Sequence, residues 1–100
     1  MPTLNETKHT PGPWELAYEL DGDGDAVRVS RAGHNFDVAL VYGHGGDALS
    51  DHERNANARL VAAAPDLLSA LRAVVEIADR KTVEFDAARA AIAKAEGREP

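Results

Sequence analysis

The clearest pattern in the chain is an alternation of apolar and polar residues in its first half. After a rigid Pro11-Gly12-Pro13 turn, every second residue is apolar: Trp14, Leu16, Tyr18 and Leu20. A period of two is typical of a strand with one buried face. Shorter alternating runs cover 27–30 and 36–42, and glycine-containing turns at 21–25 and 31–35 separate the runs. The pattern predicts three strands in an antiparallel meander.

The third run predicts which strand face is buried. Its larger apolar residues hold the even positions, namely Phe36, Val38, Leu40 and Tyr42. Asp37, Ala39 and Val41 alternate with them. Because alternate side chains of a strand point to opposite faces, we expect the even positions to share the buried face.

Helical periodicity replaces the alternation after Tyr42. Ser50 and Glu53 have the spacing of a capping box, which predicts a helix from about Asp51 to Ala64. Pro65 suits the first turn of a new helix better than the interior of an old one. Apolar residues then recur at helical spacing over 67–78, and we expect this segment to cover the sheet.

The last apolar stripe lies near the end of the chain. Phe85, Ala88, Ile92 and Ala95 recur at helical spacing, and Gly97 is a natural C-cap. Residues 80–82 are expected to turn the chain, although one helix over 66–96 is also compatible with the sequence. The whole predicts an α+β fold in one domain: a flexible segment at 1–10, a meander at 11–42, and two or three helices at 50–97 packed on one sheet face.

Composition narrows the class of protein. The chain has 100 residues, 44% of them hydrophobic, and no cysteine. Disulfides and thiolate metal sites are therefore excluded. No apolar run approaches the roughly 20 residues that span a bilayer, and the N-terminus shows no apolar signal core. We expect a cytoplasmic protein that does not enter a membrane.

The charge is negative and uneven. The net charge is −6, and residues 1–50 hold eight acids against three bases. This argues against direct binding of duplex DNA, which needs clustered Lys and Arg. It permits an acidic surface that occupies a nucleic-acid-binding groove on another protein. The candidate interface residues are Glu15, Glu19, Asp21, Asp23, Asp25 and Asp37.

No arrangement of residues predicts a metal site or a catalytic group. The run Asp21–Asp25 resembles the start of a calcium loop, but Ala26 and Ala32 stand where such a loop needs Gly and Glu. The four histidines have no metal-motif spacing, so surface positions are the simpler interpretation. We expect no catalytic residues, no bound metal and no cofactor.

A weaker candidate is an anion site at the start of the first helix. Free amides at a helix N-terminus attract anions, and the segment 43–46 before it is rich in glycine. His52, Asn55 and Arg59 share one side of that helix, and His44 lies in the glycine segment. Together they are a tentative ligand-binding set for a small anionic ligand such as a nucleotide, although a solvated helix face is the simpler interpretation.

Two residues are expected to be structural anchors. Trp14 follows the rigid turn and is predicted at the edge of the core, with its indole N–H near water. Asn57 is predicted on the packed side of the first helix, where it could bond a strand carbonyl.

Three motifs resemble those of a known group of proteins. They are His9-Thr10-Pro11-Gly12-Pro13-Trp14, the segment from Asn57-Ala58-Arg59-Leu60 through Ala62-Ala63-Ala64-Pro65 to Leu67-Leu68, and the alanine-rich segment 88–97. In this order they resemble a family of small proteins encoded by bacteriophages and prophages, mostly of unassigned function. The resemblance implies a genetic context and no reaction.

Three functions remain open at this stage. The first is an accessory protein that blocks a host protein by occupancy, with anti-CRISPR or other counter-defence inhibition as one instance. The second is a protein that sequesters a nucleotide, and the third is a metal-dependent hydrolase. Under each we expect a homodimer, because Ala88, Ala91, Ile92 and Ala95 offer more apolar surface than a short chain can cover.

Overall fold

A computed structural model of the chain describes residues 8–17, 26–43, 48–78 and 80–98, with side chains in the first helix from residue 51 onward. Three strands come first: β1 (Trp14–Ala17), β2 (Ala26–Arg31) and β3 (Asp37–Tyr42). Two helices follow: α1 (Ala48–Ala78) and α2 (Val83–Ala95). The predicted α+β fold is confirmed, with two helices.

The strands form one antiparallel sheet in the order β1-β2-β3. Leu16 lies opposite Val29 on β1 and β2, and Val27 lies opposite Val41 on β2 and β3. The turn between β2 and β3 is closed by the His34 amide, which donates to the Arg31 carbonyl at 3.0 Å. Gly33 has a φ of 79° in this turn, a conformation that a side chain disfavours. The predicted turn at 21–25 lies outside the described residues.

The core of the sheet is small and one-sided. Val27 and Val29 are 2% and 0% exposed, and they define the inner face of the sheet. On α1, Ala58 is 0% exposed and Arg54 is 9% exposed, one helical turn apart. Residues 10–65 form one compact unit, which we call the sheet unit. The burial pattern indicates that the first half of α1 covers the inner face.

The single tryptophan anchors the start of β1. Trp14 is half-buried, and its indole nitrogen donates to the Thr10 carbonyl at 3.1 Å. The predicted place of Trp14 at the edge of the core is confirmed. Its indole N–H, which we expected near water, donates to the backbone of the preceding turn. The amide of Ala32 donates to the Pro13 carbonyl at 2.9 Å, which ties the same turn to β2.

The predicted helix boundary at Pro65 is wrong. Pro65 lies inside α1, which continues unbroken from Ala48 to Ala78. A proline inside a helix removes one backbone hydrogen bond, while the turns on either side keep theirs. Pro65 is also half-buried beside Gly12, a contact that compensates part of that loss. The capping-box prediction is wrong as well, because α1 already includes Ala48 and Ser50 is therefore inside it.

The chain turns instead between the two helices. Thr82 is the N-cap of α2, and its hydroxyl accepts from the Phe85 amide at 3.3 Å. At the other end the Arg98 amide donates to the Ala93 carbonyl at 2.8 Å. Gly97, at a φ of 75°, donates to the Lys94 carbonyl at 3.2 Å. This is a Schellman motif, so the predicted C-cap at Gly97 is confirmed.

Residues 66–98 belong to a second compact unit, which we call the hairpin unit. Arg89 donates to the Arg80 carbonyl at 2.9 Å, and Arg72 forms an ion pair with Glu96. The later residue Glu96 thus pairs with the earlier residue Arg72, whereas Arg89 pairs with Arg80 near the turn. This order of contacts indicates an antiparallel helical hairpin. Residues 66–78 form a compact unit with α2, and the expectation that they cover the sheet stays a prediction.

The inner side of the hairpin uses part of the predicted C-terminal stripe. Ile92 is 7% exposed, and Phe85 and Ala88 are half-buried. On α1 the half-buried side chains are Leu68, Leu71, Arg72 and Val75. Ala88 and Ile92, which we expected to offer apolar surface for a dimer, are therefore turned inward. The homodimer itself stays a prediction.

Glu96, the C-cap residue of α2, connects α2 to α1. Its side chain is 15% exposed and pairs with Arg72 from α1. Its Oε1 atom also accepts from Arg98 Nη2 at 2.6 Å. Charge-assisted hydrogen bonds that are partly shielded from water contribute more than exposed ones.

We predict that Glu96→Gln lowers the free energy of unfolding by roughly 1–3 kcal/mol, because Arg72 keeps its charge and loses its carboxylate. Chemical denaturation measures this. Glu84→Gln, at an exposed position in the first turn of the same helix, is the matched control. Equal losses in both variants would contradict the role given to Glu96.

We also predict that Gly12→Ala destabilises the sheet unit by roughly 1–3 kcal/mol. A Cβ atom at this position would lie 3.1 Å from Cβ and 3.2 Å from Cγ of Pro65, closer than carbon atoms ordinarily pack. In a double-mutant cycle, the cost of Gly12→Ala should fall when Pro65 is replaced by Ala. A cost that does not change in the Pro65→Ala background would rule out this contact as its cause.

Candidate protein-interaction surface

The outer face of the sheet is defined by the strand register. Arg28 on β2 lies between Ala17 on β1 and Leu40 on β3. Tyr42 lies opposite Ala26 at one end of the sheet. At the other end Ser30 lies opposite Glu15 and Asp37. These side chains point away from Val27 and Val29, and we call them the outer face.

A β-bulge decides which side chains of β3 belong to the outer face. Val29 pairs with Ala39 and the next residue, Ser30, pairs with Asp37, so Val38 is an extra residue in β3. A bulge changes the direction of the side chains beyond it. Asp37 therefore shares a face with Leu40, although strict alternation would separate them.

The expected sidedness of β3 is accordingly wrong. Leu40 and Tyr42 are 47% and 60% exposed, whereas Ala39 and Val41 are half-buried. The sequence was ambiguous because both faces of this strand carry apolar residues after position 38. The register with β2 shows which face is buried, because Val41 lies beside buried Val27 and Leu40 lies beside Arg28.

Asp37 forms a small polar cluster on the outer face. Its Oδ1 atom accepts from Arg28 Nε at 3.2 Å and from the Ser30 hydroxyl at 3.3 Å. The side chains of Arg28 and Asp37 are 29% and 36% exposed. Much of the charge of Asp37 is therefore compensated by Arg28, a pairing that the sequence analysis did not anticipate.

Apolar side chains are exposed around this cluster. Besides Leu40 and Tyr42, Phe36 is 48% exposed just before β3 begins. The Phe36 ring lies 5.8 Å from the His34 ring, measured between centroids. Leu40 and Tyr42, two residues apart on the same strand face, are the exposed apolar side chains that can form one contact surface.

Only two residues of the predicted acidic interface lie among the described residues. Glu15 and Asp37 are both exposed on the outer face, as that prediction requires. Glu19, Asp21, Asp23 and Asp25 lie outside the described residues. The described acidic groups thus border exposed apolar side chains.

The tentative anion site has its described residues on α1. His52 and Arg59 are exposed, and Asn55 is half-buried. The Asn55 side-chain oxygen accepts from Arg54 Nε at 3.3 Å, so Asn55 already has a protein partner. His44 lies outside the described residues. Nucleotide binding at these positions stays a prediction.

The packed side of the first half of α1 was predicted incorrectly. Asn57 is exposed, so it does not lie between helix and sheet. Arg54 and Ala58 hold the buried positions instead. Arg54 Nη1 lies 3.5 Å from Asp51 Oδ1, which supplies a counter-charge one turn away. Hydrophobic periodicity gave no signal for Arg54, because a buried arginine counts as polar.

Among the described residues no three His, Asp or Glu side chains are grouped as a metal ion would require. Neither α1 nor α2, in the part of the chain that the structure describes, has the length and apolarity of a membrane-spanning helix.

Comparison with known protein families gives a match over nearly the whole chain. Residues 1–99 match the family of the Salmonella phage P22 protein Y8K6. The chain belongs to this family. No curated protein and no solved structure matches the chain. The family match confirms a small phage-encoded protein, as the resemblance implied, and the family's name states no activity.

We predict that the Arg28–Asp37 pair contributes about 0.2–1 kcal/mol to stability, because both side chains are partly exposed. A double-mutant cycle with Arg28→Met and Asp37→Asn, followed by thermal denaturation, measures the coupling. The coupling should shrink at high salt. A coupling above about 2 kcal/mol would contradict this placement at the surface.

Proposed function

We propose that this phage protein acts by binding a host protein through the outer face of its sheet. The observation that carries the proposal is the exposure of Leu40 and Tyr42 beside the Arg28–Asp37 pair. An apolar centre with a polar border is the usual anatomy of a protein interface. Such a protein works by occupancy and needs no catalytic residues.

The energetics favour these two side chains as the centre of the contact. Burying a large apolar side chain contributes about 1.5–3 kcal/mol. Tyrosine is enriched among the residues that dominate binding energy, because it combines a large apolar ring with a hydroxyl. Leu40 and Tyr42 lie two residues apart on one strand face, so one partner surface can cover both.

The charge of the chain indicates the chemistry of the partner. A net charge of −6 favours encounter with a basic protein surface. Glu15 on β1 places an exposed carboxylate at the border of the outer face, whereas the charge of Asp37 on β3 is largely compensated by Arg28. Nucleic-acid-binding proteins present basic surfaces. The partner we propose is therefore a host defence protein that binds nucleic acid, and anti-CRISPR inhibition would be one instance of such binding.

The test compares the wild type with the double variant Leu40→Asp/Tyr42→Ser. Each protein is tagged and used to capture partners from host lysate at physiological salt. The captured host protein is then purified, and its affinity is measured by calorimetry. We expect a stoichiometric complex with the wild type and a loss of affinity of about 100-fold or more in the variant, equivalent to about 2.7 kcal/mol.

Leu60→Gln is the matched control, because Leu60 is an exposed leucine, at 64%, that lies on α1. This variant should bind like the wild type. Circular dichroism establishes that all three proteins are folded. The proposal fails if no host protein binds at physiological salt, or if the double variant binds as tightly as the wild type.

A further inference from the structure

The carboxylate of Asp37 is held by two donors that reach the same oxygen atom. Arg28 Nε and the Ser30 hydroxyl donate to Oδ1 at 3.2 and 3.3 Å. Among the described residues, no donor reaches the second oxygen, Oδ2. The Asp37 side chain is 36% exposed, so the carboxylate is open to solvent. Because an ionised carboxylate accepts on both oxygens, Oδ2 keeps the capacity to accept from a donor outside the chain.

The strand register places this carboxylate within the surface that we propose to bind the host protein. Ser30 lies opposite Asp37, and Arg28 lies opposite Leu40 on the same face. Neighbouring positions on one strand face are about 7 Å apart. A partner surface that covers Leu40 and Tyr42 therefore also reaches Asp37 and withdraws its carboxylate from water.

Arg28 determines what kind of donor suits Oδ2. Its Nε atom lies 3.2 Å from Asp37 Oδ1 and compensates much of the carboxylate's charge. A lysine or arginine of the partner at Oδ2 would be attracted by Asp37 and repelled by Arg28. A neutral donor, such as a backbone N–H or a hydroxyl, meets no such repulsion, and its hydrogen bond to a carboxylate is still charge-assisted. The pair therefore favours a neutral donor at this point of a partner surface that is otherwise basic.

We propose that Asp37 is a specificity-determining acceptor of the outer face and that Arg28, together with Ser30, positions it. This inference rests on the function proposed above. When the host protein covers Leu40 and Tyr42, one of its neutral donors bonds Asp37 Oδ2. A protein that covers the same surface without a donor here leaves a desolvated carboxylate oxygen unsatisfied, which disfavours binding.

Glu15 has a different role in the same contact. It is exposed on β1, across Ser30 from Asp37. A charge at the border of an interface mainly raises the association rate, and salt weakens that effect. A hydrogen-bonded charge beneath the partner mainly lowers the dissociation rate. The two carboxylates therefore differ in which rate they control.

The first test measures both rates by surface plasmon resonance, with the host protein that the wild type captures. Asp37→Asn should raise the dissociation rate by about tenfold or more, at low and at high salt. Glu15→Gln should lower the association rate, and this loss should shrink at high salt. Asp86→Asn is the matched control and should bind like the wild type, because Asp86 forms a similar pair with Arg89 on α2, at 3.0 Å.

Two results of this test overturn the proposal. One is an unchanged dissociation rate in Asp37→Asn. The other is an effect confined to the association rate that disappears at high salt, because Asp37 would then act only as a charge. Leu40→Asp/Tyr42→Ser is measured in parallel. If it loses affinity and Asp37→Asn does not, the hydrogen bond alone is wrong. If the wild type binds no host protein, or the double variant binds equally well, the proposed function fails and this inference fails with it.

The second test addresses the positioning role of Arg28. Arg28→Met should lower the affinity by about 100-fold, because the partner would cover a carboxylate that has lost its counter-charge. Arg28→Met/Asp37→Asn should bind more tightly than Arg28→Met, since no uncompensated charge remains. Thermal denaturation establishes that each variant is folded. A double variant that binds no better than Arg28→Met overturns the role given to Arg28.

Discussion

The structure of the sheet unit depends on the sidedness of β2, its middle strand. Val27 and Val29 are the buried side chains of this strand, and each contributes about 1.5–3 kcal/mol when withdrawn from water. Since β2 pairs on both sides, these two valines set the orientation of β1 and β3 as well. On the opposite face Leu40 and Tyr42 are exposed. The residues of the candidate interaction surface are thus determined by which face of β2 is buried.

Much of the fold could be predicted because its signals are local. Alternation with a period of two identified the strands, and the glycine turn at 31–35 separated the second from the third. Gly97 could be recognised because helices commonly end at a glycine in the left-handed conformation. The break between α1 and α2 was left open, since no proline or glycine marks it. It is determined by the Thr82 cap, a weaker signal in the sequence.

The errors arose at contacts that a hydrophobic pattern does not record, whether distant or local. Pro65 is tolerated inside α1 beside Gly12, a residue more than fifty positions away in the sequence. Arg54 is buried although arginine is rarely so, because Asp51 and Asn55 supply nearby partners. For the candidate surface, the exposure of Glu15 and Asp37 could be predicted from charge. The pairing of Asp37 with Arg28 could not, because it depends on the register of β3.

The bulge at Val38 also bears on how members of this family can diverge. Removing Val38 would restore regular alternation, and Asp37 would stay opposite Ser30 on the same face as Arg28, because Ala39 remains opposite Val29. Leu40 and Tyr42 would keep their places as well. A strand that lost the bulge but kept all its residues would instead turn the Asp37 carboxylate toward the inner side, away from Arg28. The charged element of this surface is therefore compatible with a one-residue deletion at position 38, whereas a shift in strand register would remove it.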